Sequence, residues 1–422
     1  MSVVVRFPPS PTGPLHVGGA RTALFNYLFA KQNGGKFVLR FENTDRERSK
    51  PEYEKSILDS FTWLQLDFDK TYRQSERTHI YKTELERLLK TRAIYVSKET
   101  EGRAEVIRFR NPDRVITFTD LIRGKISFDT TELGDFVVAR SIEEPLYHFA
   151  VVVDDWKMDV THIIRGEDHI SNTPRQILIQ EALGASRPIY AHIPLILAPD
   201  RSKLSKRHGA VSVTEYREQG YLSDALTNYL ALLGWNPGTD QEIFSRAELI
   251  KQFSLERIQH GGAIFDLEKL KWLNREYLRL APLDIWENIF SPEWSTNLRQ
   301  TIIPILRERV STLIEAQTLI TNGEYDYFRI APVVDRNLLK DSKTLAKTSA
   351  LLESIPEPDF NAERIKMILW PHAEAMGKAA VLGTLRVALS GREQTPDPFT
   401  IANILGKPET LNRLRSISHE EK

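Results

Sequence analysis

The chain has 422 residues, enough for roughly two to four domains, and 41% of them are hydrophobic, as in an ordinary globular protein. Lys plus Arg and Asp plus Glu both number 57, so the net charge is zero; this argues against indiscriminate nucleic-acid binding but leaves room for a shaped surface with local Arg and Lys clusters. With no cysteine, disulfides and thiolate metal sites are excluded, and no apolar run approaches the roughly 20 residues needed to cross a bilayer.

The start, Met1-Ser2-Val3-Val4-Val5-Arg6, lacks the basic opening and cleavable apolar core of a signal peptide, so a cytoplasmic protein is expected. The first element is a strand over 3–7. A Pro- and Gly-rich turn leads into a helix over 22–32, stopped by Asn33-Gly34-Gly35. A second strand covers 36–41. Pro51 marks a helix start, with Tyr53, Ile57, Leu58, Phe61 and Leu64 at helical spacing. Strands alternating with helices point to a parallel, doubly wound sheet.

The pattern then changes to short strands over 106–110, 115–119, 125–129 and 136–139, read as an inserted β-containing module. The parallel theme returns with strands over 149–153 and 160–165, a helix over 173–183 and a strand over 189–197. Beyond about residue 210 the chain reads as helical. One helix covers 225–233 and ends at Gly234, another covers 267–277, and from Pro282 onward only amphipathic helices and loops follow. Pro356 and Pro358 mark a break there, and Trp235 and Trp272 read as core aromatics.

Two segments carry chemistry. The first is Arg6-Phe7-Pro8-Pro9-Ser10-Pro11-Thr12-Gly13-Pro14-Leu15-His16-Val17-Gly18-Gly19-Ala20-Arg21. Strand, tight turn and helix start form a place for a triphosphate, because backbone N–H groups at a helix N-terminus point at anions and glycines admit phosphates closely. The second is Lys203-Leu204-Ser205-Lys206-Arg207, a basic loop able to neutralise charge in a phosphoryl-type transition state. Taken singly, either is weak: the second alone is usually a solvated loop. Together, and in this order, they resemble the HIGH and KMSKS signatures of class I aminoacyl-tRNA synthetases. Their longer contexts are similar to bacterial glutamyl-tRNA synthetases.

The resemblance continues through Arg40-Phe41-Glu42-Asn43-Thr44-Asp45, Tyr72-Arg73-Gln74-Ser75-Glu76-Arg77, Ile164-Arg165-Gly166-Glu167-Asp168-His169 and Leu385-Arg386-Val387-Ala388-Leu389-Ser390-Gly391. It implies an α/β fold: a split Rossmann-like catalytic domain (1–73 and 137–210) interrupted by an α+β acceptor-binding module (74–136). A helical stem-contact region (211–281) and an all-helical anticodon-binding domain (282–422) would follow. It implies glutamate–tRNA ligation with ATP and Mg²⁺, tRNA(Glu) and L-glutamate as partners, no membrane, and a monomer.

The same resemblance assigns residues. His16, Lys203 and Lys206 are the catalytic group. Pro9, Gly18, Gly19, Leu204, Ser205 and Arg207 join them around ATP. Arg6, Ser10, Glu42, Tyr147 and Arg165 bind glutamate, and Arg309 contacts tRNA. Considered alone, Glu42 and Arg165 would read as a surface salt bridge, and Arg307-Glu308-Arg309 as a solvated helix face. Asp154-Asp155 reads as a strand-end cap in preference to a metal site. His162, His169 and His192 read as structural or peripheral. The chain departs from many bacterial relatives in the short stretch between Tyr95 and Val106, where some carry a cysteine-based zinc module; no zinc is expected here. Rival readings are a base-modifying paralogue and a non-catalytic tRNA-binding protein. A glutaminyl-tRNA synthetase is a third, disfavoured by Arg165, which suits a carboxylate better than an amide.

Overall fold

The computed structural model describes residues 2–45, 47–98, 105–202, 204 and 212–419. Two units emerge, Met1–Tyr277 and Leu278–Lys422.

The first unit opens with β1 (Val4–Phe7), α1 (Val17–Gln32), β2 (Lys36–Phe41), α2 (Pro51–Trp63) and β3 (Lys70–Arg73). All three strands are parallel, with Val5 opposite Phe37 and Val38 opposite Lys70. Val5, Phe7, Phe37, Leu39 and Phe41 are all buried, because strands covered on both faces read as continuous apolar runs. α1 packs against β1, β10, α7 and α8 (the last three defined below) and so has almost no polar face.

The chain continues through α3 (Thr78–Lys90), β4 (Ile94–Lys98), β5 (Glu105–Phe109), β6 (Val115–Asp120), β7 (Gly124–Asp129), β8 (Phe136–Ser141) and β9 (Glu144–Pro145). Then come α4 (Tyr147–Lys157), β10 (His162–Gly166), α5 (Thr173–Leu183), β11 (Ile189–Ile193) and β12 (Ile196–Leu197). Last are α6 (Val213–Glu218), α7 (Ser223–Leu232), α8 (Arg246–Gln252), β13 (Ala263–Ile264) and α9 (Leu267–Leu280). β4, β5, β8 and β9 form an antiparallel sheet. β10 and β11 are parallel, and the β6–β7 hairpin attaches to β11 where Tyr190 meets Asp120. The two parallel layers meet at β1 and β10: the Thr161 N–H donates to the Val4 carbonyl at 2.9 Å, and the Asn26 amide on α1 donates to the Ile164 carbonyl at 3.0 Å.

Five sequence expectations are corrected. Residues 149–153, read as a strand, lie in helix α4; a short apolar run does not distinguish a strand from a buried helix, and burial of Phe149, Val152 and Val153 overrides β-propensity. The strand over 189–197 is two pieces, β11 and β12, because Pro194 has no N–H to continue the ladder. α1 begins at Val17, five residues before the expected 22, because His16 caps it. Trp235 is buried, but Trp272 is half-exposed, with the Lys269 ammonium 4.3 Å from its ring centre. The β6–β7 hairpin, grouped from sequence with the inserted strands, pairs instead with the sheet of β10 and β11.

The second unit is helical: α10 (Leu283–Glu287), α11 (Thr296–Arg309), α12 (Leu313–Thr321), α13 (Thr344–Glu353), α14 (Ala362–Met376), α15 (Thr384–Ser390) and α16 (Pro398–His419). Pro356 and Pro358 sit in the 3₁₀ turn between α13 and α14. α16 kinks at Gly406, whose φ of 77° lies in the left-handed region. Trp286, Ile302, Leu306, Leu369 and Leu385 fill its core. Among the described residues no helix is long and apolar enough to cross a membrane.

Candidate active site

A cavity of about 370 Å³ opens beyond the C-terminal ends of β1 and β10, against the first turn of α1. In open parallel sheets such a junction is where ligands bind. Its floor is set by charges that the fold forces underground. Arg6, one residue before the end of β1, is buried; its Nε and Nη2 donate to the two carboxylate oxygens of Asp155 on α4, at 3.1 and 3.3 Å. Arg40, in the otherwise apolar β2, donates from Nη1 to the same carboxylate at 2.6 Å and from Nη2 to Glu42 at 3.1 Å. Burial alone would push the Asp155 carboxyl up, but Arg40 and Arg6 hold it below the usual range. Burial pushes Glu42 up to about 7 despite Arg40.

Neighbouring Asp154 accepts from Gln74 at 3.0 Å, Arg77 at 2.7 Å and the Tyr81 hydroxyl at 2.8 Å. Asp154 and Asp155 are thus not a strand-end cap, since both lie inside helix α4. They are buried helical counter-ions, which is what charges inside an apolar run must become.

On the opposite wall β10 supplies Arg165. Its Nε donates to His192 Nε2 at 3.1 Å and its Nη2 to the Thr173 hydroxyl at 2.7 Å. Tyr147, at the start of α4, has its hydroxyl 3.3 Å from His169 Nδ1. Partial desolvation pushes Tyr147 up to about 12, and burial lowers His169 to about 4, with Arg165 adding to the fall. Among the described residues, three buried nitrogens on this cavity's lining residues lack a hydrogen-bond partner: Arg6 Nη1, Arg165 Nη1 and Arg21 Nε. Each carries donors that a carboxylate would satisfy.

The third wall is the start of α1. His16 caps it, Nδ1 accepting from the Gly18 N–H at 3.1 Å, so the ring proton belongs on Nε2. No acidic residue occupies the first turn, which leaves the helix terminus attractive to an anion. A side chain on Gly19 would meet Leu15 at 3.2 Å and Phe7 at 3.4 Å, so this glycine lets α1 sit close on β1.

A family model described as "tRNA synthetases class I (E and Q), catalytic domain" matches residues 2–105 and 94–272, and one described as "Anticodon binding domain" matches 267–418. The glutamate–tRNA ligase of Thermodesulfovibrio yellowstonii is 40% identical, over 98% of this chain and 99% of its own length. That of Syntrophobacter fumaroxidans is 42% identical over 98% and 97%. The chain belongs to the glutamate–tRNA ligase family. A solved glutamate–tRNA ligase from Elizabethkingia meningosepticum, described as in complex with its amino acid, is 33% identical and superimposes with a TM-score of 0.87 over all of both chains. The fold is accordingly that of a class I synthetase catalytic domain followed by an anticodon-binding domain.

In this ligase-family chain, Arg6, Ser10, His16, Gly18, Gly19, Glu42, Tyr147, Arg165 and Leu204 line one cavity. Pro9 does not line it; it stands behind, its carbonyl accepting the Glu42 N–H at 2.9 Å. Lys203, Ser205, Lys206 and Arg207 lie outside the described residues. Arg309 is in the second unit, where its Nη1 donates to the Tyr325 hydroxyl at 2.8 Å. His169, read from sequence as peripheral, lines the cavity, and the buried His192 touches Arg165. Sequence reasoning missed Arg40, Asp155 and Thr173 as parts of the site. The available signal was a charge inside an apolar strand and two carboxylates directly after three valines.

Proposed function

We propose that this chain joins L-glutamate to ATP as glutamyl-adenylate and transfers the glutamyl group to the 3′ end of tRNA(Glu). The observation that carries this reading is the pair of unpartnered guanidinium nitrogens of Arg6 and Arg165 sharing a cavity with Glu42. Two cations suit the two carboxylates of glutamate, and an anionic Glu42 suits its ammonium. Ser10 and Tyr147 add hydrogen-bonding groups along the same wall.

The chemistry needs no protein nucleophile. A glutamate carboxylate oxygen attacks the α-phosphorus of ATP, and the bond to pyrophosphate breaks. A terminal ribose hydroxyl of the tRNA then attacks the acyl carbon and AMP leaves. Positioning and charge stabilisation lower both barriers. The His16 Nε2–H, the α1 amides and Gly18 face the phosphates in this reading; Lys206, supported by Lys203 and Arg207, neutralises the transition state, while Leu204 and Ser205 belong to the same loop. Mg²⁺ would be held mainly by phosphate oxygens and water, since no group of three acidic or histidine side chains among the described residues offers it a site. The reading includes an anticodon contact by Arg309 and a cytoplasmic monomer.

Aminoacylation with purified glutamate and glutamine tRNAs, testing each amino acid, is the decisive assay. Glutamate charging supports the reading, and folded protein that charges no tRNA with glutamate overturns it. Lys206→Ala should slow adenylate formation by roughly 10²–10³-fold with little change in glutamate affinity, measured in single-turnover assays.

A further inference from the structure

Arg165 reaches the cavity through a buried relay that the proposed chemistry does not itself use. His192 is fully buried on β11, and Asp120, at the end of β6, is also buried. His192 Nδ1 lies 2.7 Å from Asp120 Oδ2, and His192 Nε2 lies 3.1 Å from Arg165 Nε. The Asp120 carboxylate is fixed in turn by backbone amides: Oδ1 accepts from Ile122 at 2.9 Å and Arg123 at 2.8 Å, and Oδ2 accepts from the His192 N–H at 3.0 Å.

These contacts determine a tautomer. Asp120 stays ionised although burial opposes it, because the His192 bond and the loop amides lower its pKa. It is therefore an acceptor only, and the imidazole must carry its proton on Nδ1. That leaves Nε2 as a lone pair, the one state that can accept from the Arg165 Nε–H. Burial lowers the His192 pKa and keeps the ring neutral, whereas an imidazolium would set donor against donor. With Nε held by His192 and Nη2 by Thr173, the guanidinium has one orientation, and Nη1 has no partner among the described residues.

We propose that Asp120 and His192 are positioning residues for amino-acid choice: the Asp120–His192 pair holds the Arg165 fork so that its outer nitrogen meets the substrate carboxylate. The inference rests on the reading of Arg165 as the carboxylate-binding group. Glutamate and glutamine are nearly isosteric, so discrimination depends on the charge being held in one geometry.

The test is amino-acid activation with tRNA present, comparing kcat and KM for glutamate and glutamine. His192→Asn keeps a donor near the Nδ1 position for Asp120 but removes the acceptor facing Arg165. His192→Gln places a side-chain carbonyl near the Nε2 position and restores it. Asp120→Asn keeps Oδ1 on the loop amides but turns an N–H toward Nδ1, forcing the wrong tautomer. We expect His192→Asn and Asp120→Asn to raise glutamate KM by about 10- to 100-fold and to shrink the glutamate preference similarly, the usual consequence of losing a charged hydrogen bond. The KM for ATP should stay within about twofold, and His192→Gln should recover most of the loss. Unchanged preference in both His192→Asn and Asp120→Asn overturns the inference, and so does equal loss in His192→Asn and His192→Gln. If Arg165→Leu itself leaves the preference intact, the reading of Arg165 fails instead.

Discussion

Arg6 and Arg165 in the first unit and Arg413 in the second use their buried charge differently. In the first, Arg6 and Arg165 spend part of their hydrogen-bonding capacity on Asp155, His192 and Thr173 and keep one nitrogen each unpartnered beside a cavity. In the second, the buried Arg413 donates from Nη1 to the carbonyls of Tyr327 at 2.7 Å and Leu389 at 2.6 Å, and from Nε to Glu409 at 2.7 Å. It ties helices together. The comparison teaches that a buried arginine whose donors the protein exhausts has none left for a ligand.

The sharpest way to break this comparison is Arg165→Leu. We expect glutamate kcat/KM to fall by roughly 10³-fold or more with the fold intact by circular dichroism, because the counter-charge to the substrate carboxylate is lost. The glutamate-to-glutamine preference should narrow, and an unchanged preference would transfer side-chain recognition to Arg6.

Next in size is Asp155→Ala. It leaves Arg6 and Arg40 without their shared carboxylate and should cost about 3–5 kcal/mol in denaturant unfolding, along with a higher glutamate KM. A loss below 1 kcal/mol would mean that the network relaxes around the gap.

Glu42 supplies a pH test. Its folded-state pKa of about 7 lies above the ordinary 4.5, so the fold favours the protonated acid. Ammonium binding needs the carboxylate, and glutamate kcat/KM should therefore fall about tenfold per pH unit below 7. Stability has the opposite sign: the contribution from Glu42 is full below about 4.5 and is lost as pH rises toward 7. Glu42→Gln should remove the acid limb of the rate profile, and its persistence would assign that limb elsewhere.

The smallest effect belongs to the second unit's surface. Arg415 and Glu353 pair at 2.6 Å, but both side chains are at least half exposed. Arg415→Ala should change unfolding free energy by less than about 1 kcal/mol. A larger loss would show that this pair belongs to a network.

Legibility from sequence follows the range of the interactions. β2 was read to its ends, and so was α5, where Gly184 adopts a φ of 64° just past the last turn. The start of α1 was misplaced because a histidine cap has no standard signature, and α4 was read as a strand because three consecutive valines mask a helix that burial alone supports. Part of the cavity lining, from Arg6 and His16 to Glu42 and Arg165, was named from the family resemblance, whereas His169 was not. Their partners were not, since Arg6 and Asp155 are 149 positions apart, Arg40 and Asp155 are 115 apart, and Asp120 and His192 are 72 apart.

The sequence by itself determined the class of protein, the Pro- and Gly-rich turn before α1 and the lack of any cysteine. These rest on residue type and short spacing, which local physics governs. Only the tertiary structure decided which carboxylate neutralises Arg6, which nitrogen of His192 carries the proton, and which guanidinium edge remains for a ligand. A charge in a chain of 57 acidic and 57 basic residues has many conceivable partners, and only burial in one fold, where an unpaired charge is too costly to keep, selects among them.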